Sequence, residues 1–235
     1  MGSKSTDLRY LDAADKFRKY AYLALEAHFP TRNDFDRYFT AIRSPERQNL
    51  FLKTASFYLF LVKSGDWVVN VPGSNDVIDY LTNTYKYITI FSLIESLSEE
   101  RFIEFHDFLI RRRSNVGFPI CCKETLDKHY RNYKEEFGSI QRCIRFFLAL
   151  SATRQDELVS KLEIKGTDAS IENFAKYLYQ LRSKYVHGAE LIVNITGHKV
   201  IGRHGDKIVV CRLSISDMLA FFEEGLKVYF QEVRT

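Results

Sequence analysis

Leu181-Arg182-Ser183-Lys184-Tyr185-Val186-His187-Gly188 marks the place where the chain changes its hydrophobic period. Ahead of it, Phe174, Tyr177, Leu178, Leu181 and Tyr185 recur at intervals of three and four, which predicts an amphipathic helix capped by Asp168 or Ser170. After Gly188 the period becomes two. Leu191–Ile195, Lys199–Ile201 and Lys207–Cys211 are short runs rich in β-branched residues, separated by Thr196-Gly197 and by Arg203-His204-Gly205-Asp206. They predict a hairpin or three-stranded meander. Ser214 or Ser216 then caps a last helix over Met218–Val233. The fold class is therefore mainly α, with a small β insertion at about 190–212 ahead of the final helix.

Upstream of the octapeptide the punctuation is that of long helices. Leu8, Leu11, Ala14, Phe17, Ala21, Leu25 and Phe29 form one apolar stripe closed by Pro30, and a helical turn follows at Asp34–Ile42. Ser44-Pro45-Glu46 combines a cap, a proline suited to the first helical position and an acid at the positive end of the helix dipole. That helix is expected to reach about Lys63. Trp67–Val71 reads as an extended segment, and Ser74 or Asn75 opens a long helix to about Leu97 whose second half is apolar almost all round, as a central helix is. On it Glu95 shares a stripe with Val77, Leu81 and Ile88, so its carboxylate is predicted to face inward and to need a partner. Further helices are expected at Ser98–Arg113, Lys123–Phe137, Ser139–Ala152 and Arg154–Leu162. The organisation read from this pattern is an N-terminal helical region, 1–75, packed on a helical domain, 76–235.

Composition narrows the function classes. With 46% hydrophobic residues, including 19 Phe and 14 Tyr, the chain can bury a large core, while 4 Pro and 11 Gly leave little punctuation for a many-stranded fold. Cys121, Cys122, Cys143 and Cys211 form no CxxC pair and follow no secretory signal, which points to a reducing cytoplasm and to no metal site or cofactor. No apolar run approaches the ~20 residues of a membrane span. The net charge of +4 is uneven, with a basic surplus between Arg111 and Arg145 that suits either a polyanion or solvated helix faces.

Within the octapeptide, ~100° per residue places Arg182 at the flank of the core stripe and Tyr179, Ser183 and His187 toward the other side. The helix thus has a second face to present to a ligand or a partner subunit. An arginine followed by a histidine after four to six residues arises about once by chance in a chain of this composition, and Arg101–His106 is another instance. Cations such as Arg182, Lys184 and His187 near a helix C-terminus also contribute about 0.3 to 1 kcal/mol each without any chemistry.

The wider context, Tyr179-Gln180-Leu181-Arg182-Ser183-Lys184-Tyr185-Val186-His187-Gly188, resembles the signature of the HEPN superfamily: an arginine, four to six residues and a histidine late in a helix of a helical bundle. Ile94-Glu95-Ser96-Leu97 resembles the earlier acidic helix of a microbial subgroup, and the likeness spans about residues 76–233. Where many active members carry Asn, His or Asp after the arginine, this chain has Ser183. The resemblance implies a HEPN-like bundle that dimerises and cleaves RNA without metal by 2′-hydroxyl transesterification in a composite dimer site, with a cognate antitoxin or regulatory protein as a further partner in a defence or toxin–antitoxin role. His187 would be the acid/base, Arg182 the phosphate clamp, Ser183 and Tyr179 positioning groups, and Glu95 the orienting or structural partner of Arg182. Histidine, with an ordinary pKa near ~6.5, and a bidentate guanidinium suit those roles. The alternatives are a non-catalytic HEPN-like module that binds RNA or protein, and a purely structural helical dimer.

Overall fold

The computed structural model describes residues 15–66, 71–73, 75–97, 103–111, 120–188, 190, 195–204 and 206–231. The predicted strands and helix starts at 67–70, 98–102 and 191–194, the Ser74 cap, and Arg101 lie outside them.

Helix α1 (Asp15–Leu25) ends in a single 3-10 turn over Glu26–His28 before Pro30 stops it. Helix α2 (Arg32–Thr40) starts at a reciprocal cap: Thr31 accepts the Asp34 amide while Asp34 accepts the Thr31 amide. Helix α3 (Pro45–Tyr58) begins at the Ser44–Pro45 signal, with the Ser44 hydroxyl accepting from the Arg47 amide at 3.2 Å. It runs on through one π turn over Leu59–Lys63. Helix α4 (Asn75–Ser96) is the long central helix, buried at Tyr87, Ile90, Phe91, Leu93 and Ile94. Helices α5 (Phe105–Arg111) and α6 (Lys123–Phe137) form an outlying pair, whose own small core of Phe108, Leu109 and Tyr133 is separate from the main one. Helices α7 (Ser139–Leu148), α8 (Ala152–Lys161), α9 (Ile171–Gly188) and α10 (Ile215–Phe230) complete the helical set.

The main core runs without a break from the N-terminal helices to the last one. Phe51 of α3 meets both Phe35 of α2, at 6.1 Å, and Phe230 of α10, at 5.3 Å, and Tyr58 packs on Phe222 at 4.8 Å. Each such fully buried side chain contributes about 1.5 to 3 kcal/mol. The carbonyls at the end of α10 are taken up by the same N-terminal helices: Tyr38 donates to Lys227 at 2.7 Å and Arg47 to Tyr229 at 3.0 Å. A buried acid on α10 ties the two ends further. Glu223 accepts from the Tyr58 hydroxyl at 2.6 Å and lies 3.2 Å from Lys63 and 3.4 Å from His28. Burial pushes its carboxyl up, but these three partners outweigh that and hold it below the usual range.

The small sheet departs from the expected meander. Strands β2 (Val200–His204) and β3 (Lys207–Cys211) form the anticipated antiparallel hairpin around Asp206, but β3's other neighbour is β1 (Leu162–Ile164), in the order β1-β3-β2. The sequence reading carried a helix through Leu162. Instead α8 stops at Lys161, because Leu162 and Ile164 bury on the core side while Glu163 faces out, a period of two that α8 cannot continue. The sheet is therefore built from both sides of α9 rather than as an insertion wholly after it. Ile195 also differs from its expected strand role: it is buried, and its carbonyl accepts the Ile215 amide. The Thr196-Gly197 turn is present, Gly197 adopting φ 83°, a left-handed conformation that glycine reaches without strain. Ser214, of the two candidate caps, forms a reciprocal cap with Asp217 at the start of α10.

Candidate functional site

Helix α9 is placed by the stripe that predicted it. Phe174, Tyr177 and Leu178 are buried, Leu181 and Tyr185 pack partly against the core, and the Ser170 hydroxyl accepts the Asn173 amide at the first turn. A buried hydrogen bond from Tyr87 to the Leu178 carbonyl, 2.6 Å, fixes α9 against α4. Helix α7 lies along the same side of α9 and contributes Cys143, whose thiol is buried against the Ala175 carbonyl and pushed far up by burial and by Glu95 nearby.

At this junction of α4, α7 and α9 the charges meet. Arg182 donates to the Glu95 carboxylate at 3.2 Å, and its guanidinium lies over the Tyr179 ring, 5.7 Å from the centroid. The Arg182 side chain is only 14% exposed and that of Glu95 22%. Tyr179 packs edge-on to Phe91; burial first, and then the Glu95 carboxylate beside it, push its hydroxyl up, against the opposing pull of Arg182. A second guanidinium reaches the same place. Arg142 of α7 donates to the Glu95 main-chain carbonyl at 3.4 Å. Arg182 Nε and Arg142 Nε and Nη2 are buried with no hydrogen-bond partner among the described residues. The junction therefore holds two guanidiniums beside one carboxylate, whose Oε1 is likewise buried without a hydrogen-bond partner, so three donors and one acceptor are left over.

The second face expected of α9 is thus divided. Tyr179 and Arg182 turn in against α4, whereas Ser183 is half-buried and Val186 and His187 are exposed. Arg182 and His187 are five residues apart and so about 140° apart around the helix. Within one chain they do not converge on a point. Lys184 pairs with Glu190 at 3.1 Å on the surface. The other histidine with an arginine at that spacing, His106, is exposed on α5 beside Asp107.

Beside the junction lies a groove of 510 Å³ between α6, α7 and α9, lined by Lys134, Ser139, Gln141, Lys176, Tyr179, Gln180 and Ser183. Sequence reasoning missed Arg142 and the groove lysines. Their partners lie on other helices, and the only trace of them was the basic surplus over 111–145, in which Arg142 and Lys134 fall. Among the described residues no three His, Cys, Asp or Glu side chains gather, and no helix is long and apolar enough to cross a membrane. Comparisons of the chain with family models, with curated proteins and with solved structures find no match.

Proposed function

We propose that the chain is a HEPN-like, metal-independent endoribonuclease that works as a homodimer, with the α9 faces of two protomers forming one cleft. The observation that carries this reading is the charge junction: Arg182 pairs with the Glu95 carboxylate, Arg142 donates to the Glu95 main-chain carbonyl beside it, and three nitrogens of the two guanidiniums lack an acceptor among the described residues. A phosphodiester supplies acceptor oxygens and negative charge of the kind such donors lack. The exposed His187 is free of the core, and in a dimer the histidine of one protomer meets the arginine of the other. One histidine takes the proton from the ribose 2′-hydroxyl as its oxygen attacks phosphorus. The second gives a proton to the departing 5′-oxygen, and the guanidinium stabilises the charge on the phosphoryl oxygens between these steps.

The slight exposure of Arg182 and its existing pair with Glu95 favour a second reading, a non-catalytic module that binds RNA or a protein through the same face. The two separate when labelled single-stranded RNA is incubated in EDTA with the wild-type chain, Arg182→Ala and His187→Ala. The ribonuclease predicts cleavage by the wild type alone. Equal behaviour of all three proteins at unchanged dimerisation refutes it.

A further inference from the structure

The groove beside the charge junction continues along α9. A second depression of 340 Å³, lined by Thr167, Asn173, Lys176, Gln180, Asp206 and Lys207 among others, shares Lys176 and Gln180 with the first. Taking ~100° per residue, Tyr179, Gln180, Ser183 and His187 all fall within about 60° of the line through Lys176, whereas Arg182 lies about 120° from it. The exposed His187 therefore stands at the end of the same polar row, one turn beyond Ser183. From Lys176 to His187 the row is roughly 16 Å long, a span of several phosphates at ~3.4 Å per stacked nucleotide.

The chemistry along the row is that of a polyanion seat. Lys134 and Lys176 are exposed and neither forms an ion pair among the described residues. Lys134 rests over the Tyr130 ring, 5.2 Å from its centroid, which holds the ammonium at the groove wall. The start of α7 also lines the groove, where Gly138 provides no side-chain cap and the Ser139 and Ile140 amides have no intrahelical acceptor, while the Gln141 amide bonds the Gly138 carbonyl. Hydroxyls of Ser139, Tyr179 and Ser183 and the amides of Gln141 and Gln180 fill the rest. Nothing acidic lines the 510 Å³ groove. An A-form duplex presents a broad surface to shape-reading proteins and does not enter a groove of this volume.

We propose that this row is the track for the backbone of a single-stranded RNA: Lys134 and Lys176 hold phosphates on one side of the scissile bond and lead the strand along α9 to His187. The inference rests on reading the α9 face as RNA-directed, but it assigns binding to residues outside the Arg182–His187 pair. The test is fluorescence anisotropy of the full chain with a labelled 2′-O-methyl oligouridylate, which transesterification cannot cleave. Lys134→Gln/Lys176→Gln is expected to weaken binding about tenfold and to reduce the slope of log affinity against log salt by about 1.4, near 0.7 per lost phosphate contact. Lys134→Glu/Lys176→Glu weakens it further. A control pair of exposed lysines elsewhere, Lys16→Gln/Lys53→Gln, changes it less than about twofold. Binding unaltered in the groove variants, an equal loss in the control pair, no binding by the wild type, or a duplex bound as tightly as the single strand each overturns the track. Binding that behaves as expected in a wild-type chain that cleaves no RNA refutes the nuclease and leaves the track standing.

Discussion

Gly225 on α10 is a site where two effects of opposite sign can be weighed from the structure. In an open helix, replacing glycine by alanine stabilises by about 1 kcal/mol, because the glycine backbone loses more entropy on folding. Here a Cβ would stand 2.6 and 2.9 Å from two ring carbons of Phe146, and closer still to its Cζ. That ring is 5% exposed and stacks on Phe222 with centroids 5.9 Å apart, so displacing it disturbs the packing between α7 and α10. Overpacking of this kind costs about 1 to 3 kcal/mol and, with backbone approach this close, the upper part of that range applies. The net effect of Gly225→Ala is a loss of about 1 to 2 kcal/mol, or a Tm lowered by about 2 to 8 °C at this chain length. Calorimetry or thermal circular dichroism reads it. In a Phe146→Leu background the obstructing ring is gone, so the same substitution becomes neutral or stabilising. A raised Tm for Gly225→Ala alone, or an identical penalty in both backgrounds, refutes the close-packing account.

Two further outcomes concern the buried charges. Glu223→Gln leaves Lys63 without its countercharge and costs about 2 to 3 kcal/mol in urea unfolding at neutral pH; because the folded state holds the Glu223 carboxyl below its ordinary 4.5, the wild type's advantage is full above that value and shrinks as pH falls through the folded one, so a difference independent of pH contradicts it. Glu95→Gln removes the countercharge of Arg182 while leaving the main-chain carbonyl that Arg142 uses, costing about 1 to 2 kcal/mol, and added sulfate raises the Tm of the variant more than that of the wild type; equal responses to sulfate show that the guanidiniums are not open to an anion.

Much of the helical frame was legible because its signals are local. The Ser44-Pro45 start, the Ser214 cap and the stripe of Phe174, Tyr177 and Leu178 each depend on residues within a turn or two, and each appears where the pattern put it. Strand β1 was not legible, since Leu162-Glu163-Ile164 is too short to outweigh the helix ahead of it and owes its form to pairing with β3 some fifty residues on. The inward turn of Glu95 followed from its place on α4, but its pairing with Arg182 spans 87 residues and no local period encodes it. Arg142 and Lys134 looked like ordinary surface bases for the same reason. Glu223 sits among Phe222, Leu226 and Phe230 and gave no sign of the Tyr58, Lys63 and His28 groups that wait for it on the N-terminal helices.

The central claim is that two α9 faces cleave RNA through the ribose 2′-hydroxyl, and the chemistry of the product ends tests it most directly. Wild-type chain incubated in EDTA with end-labelled single-stranded RNA is predicted to leave a 2′,3′-cyclic phosphate and a 5′-hydroxyl, with DNA of the same sequence intact and no product from His187→Ala. Ends carrying a 3′-hydroxyl and 5′-phosphate, cleavage of the DNA, or intact RNA throughout contradict it.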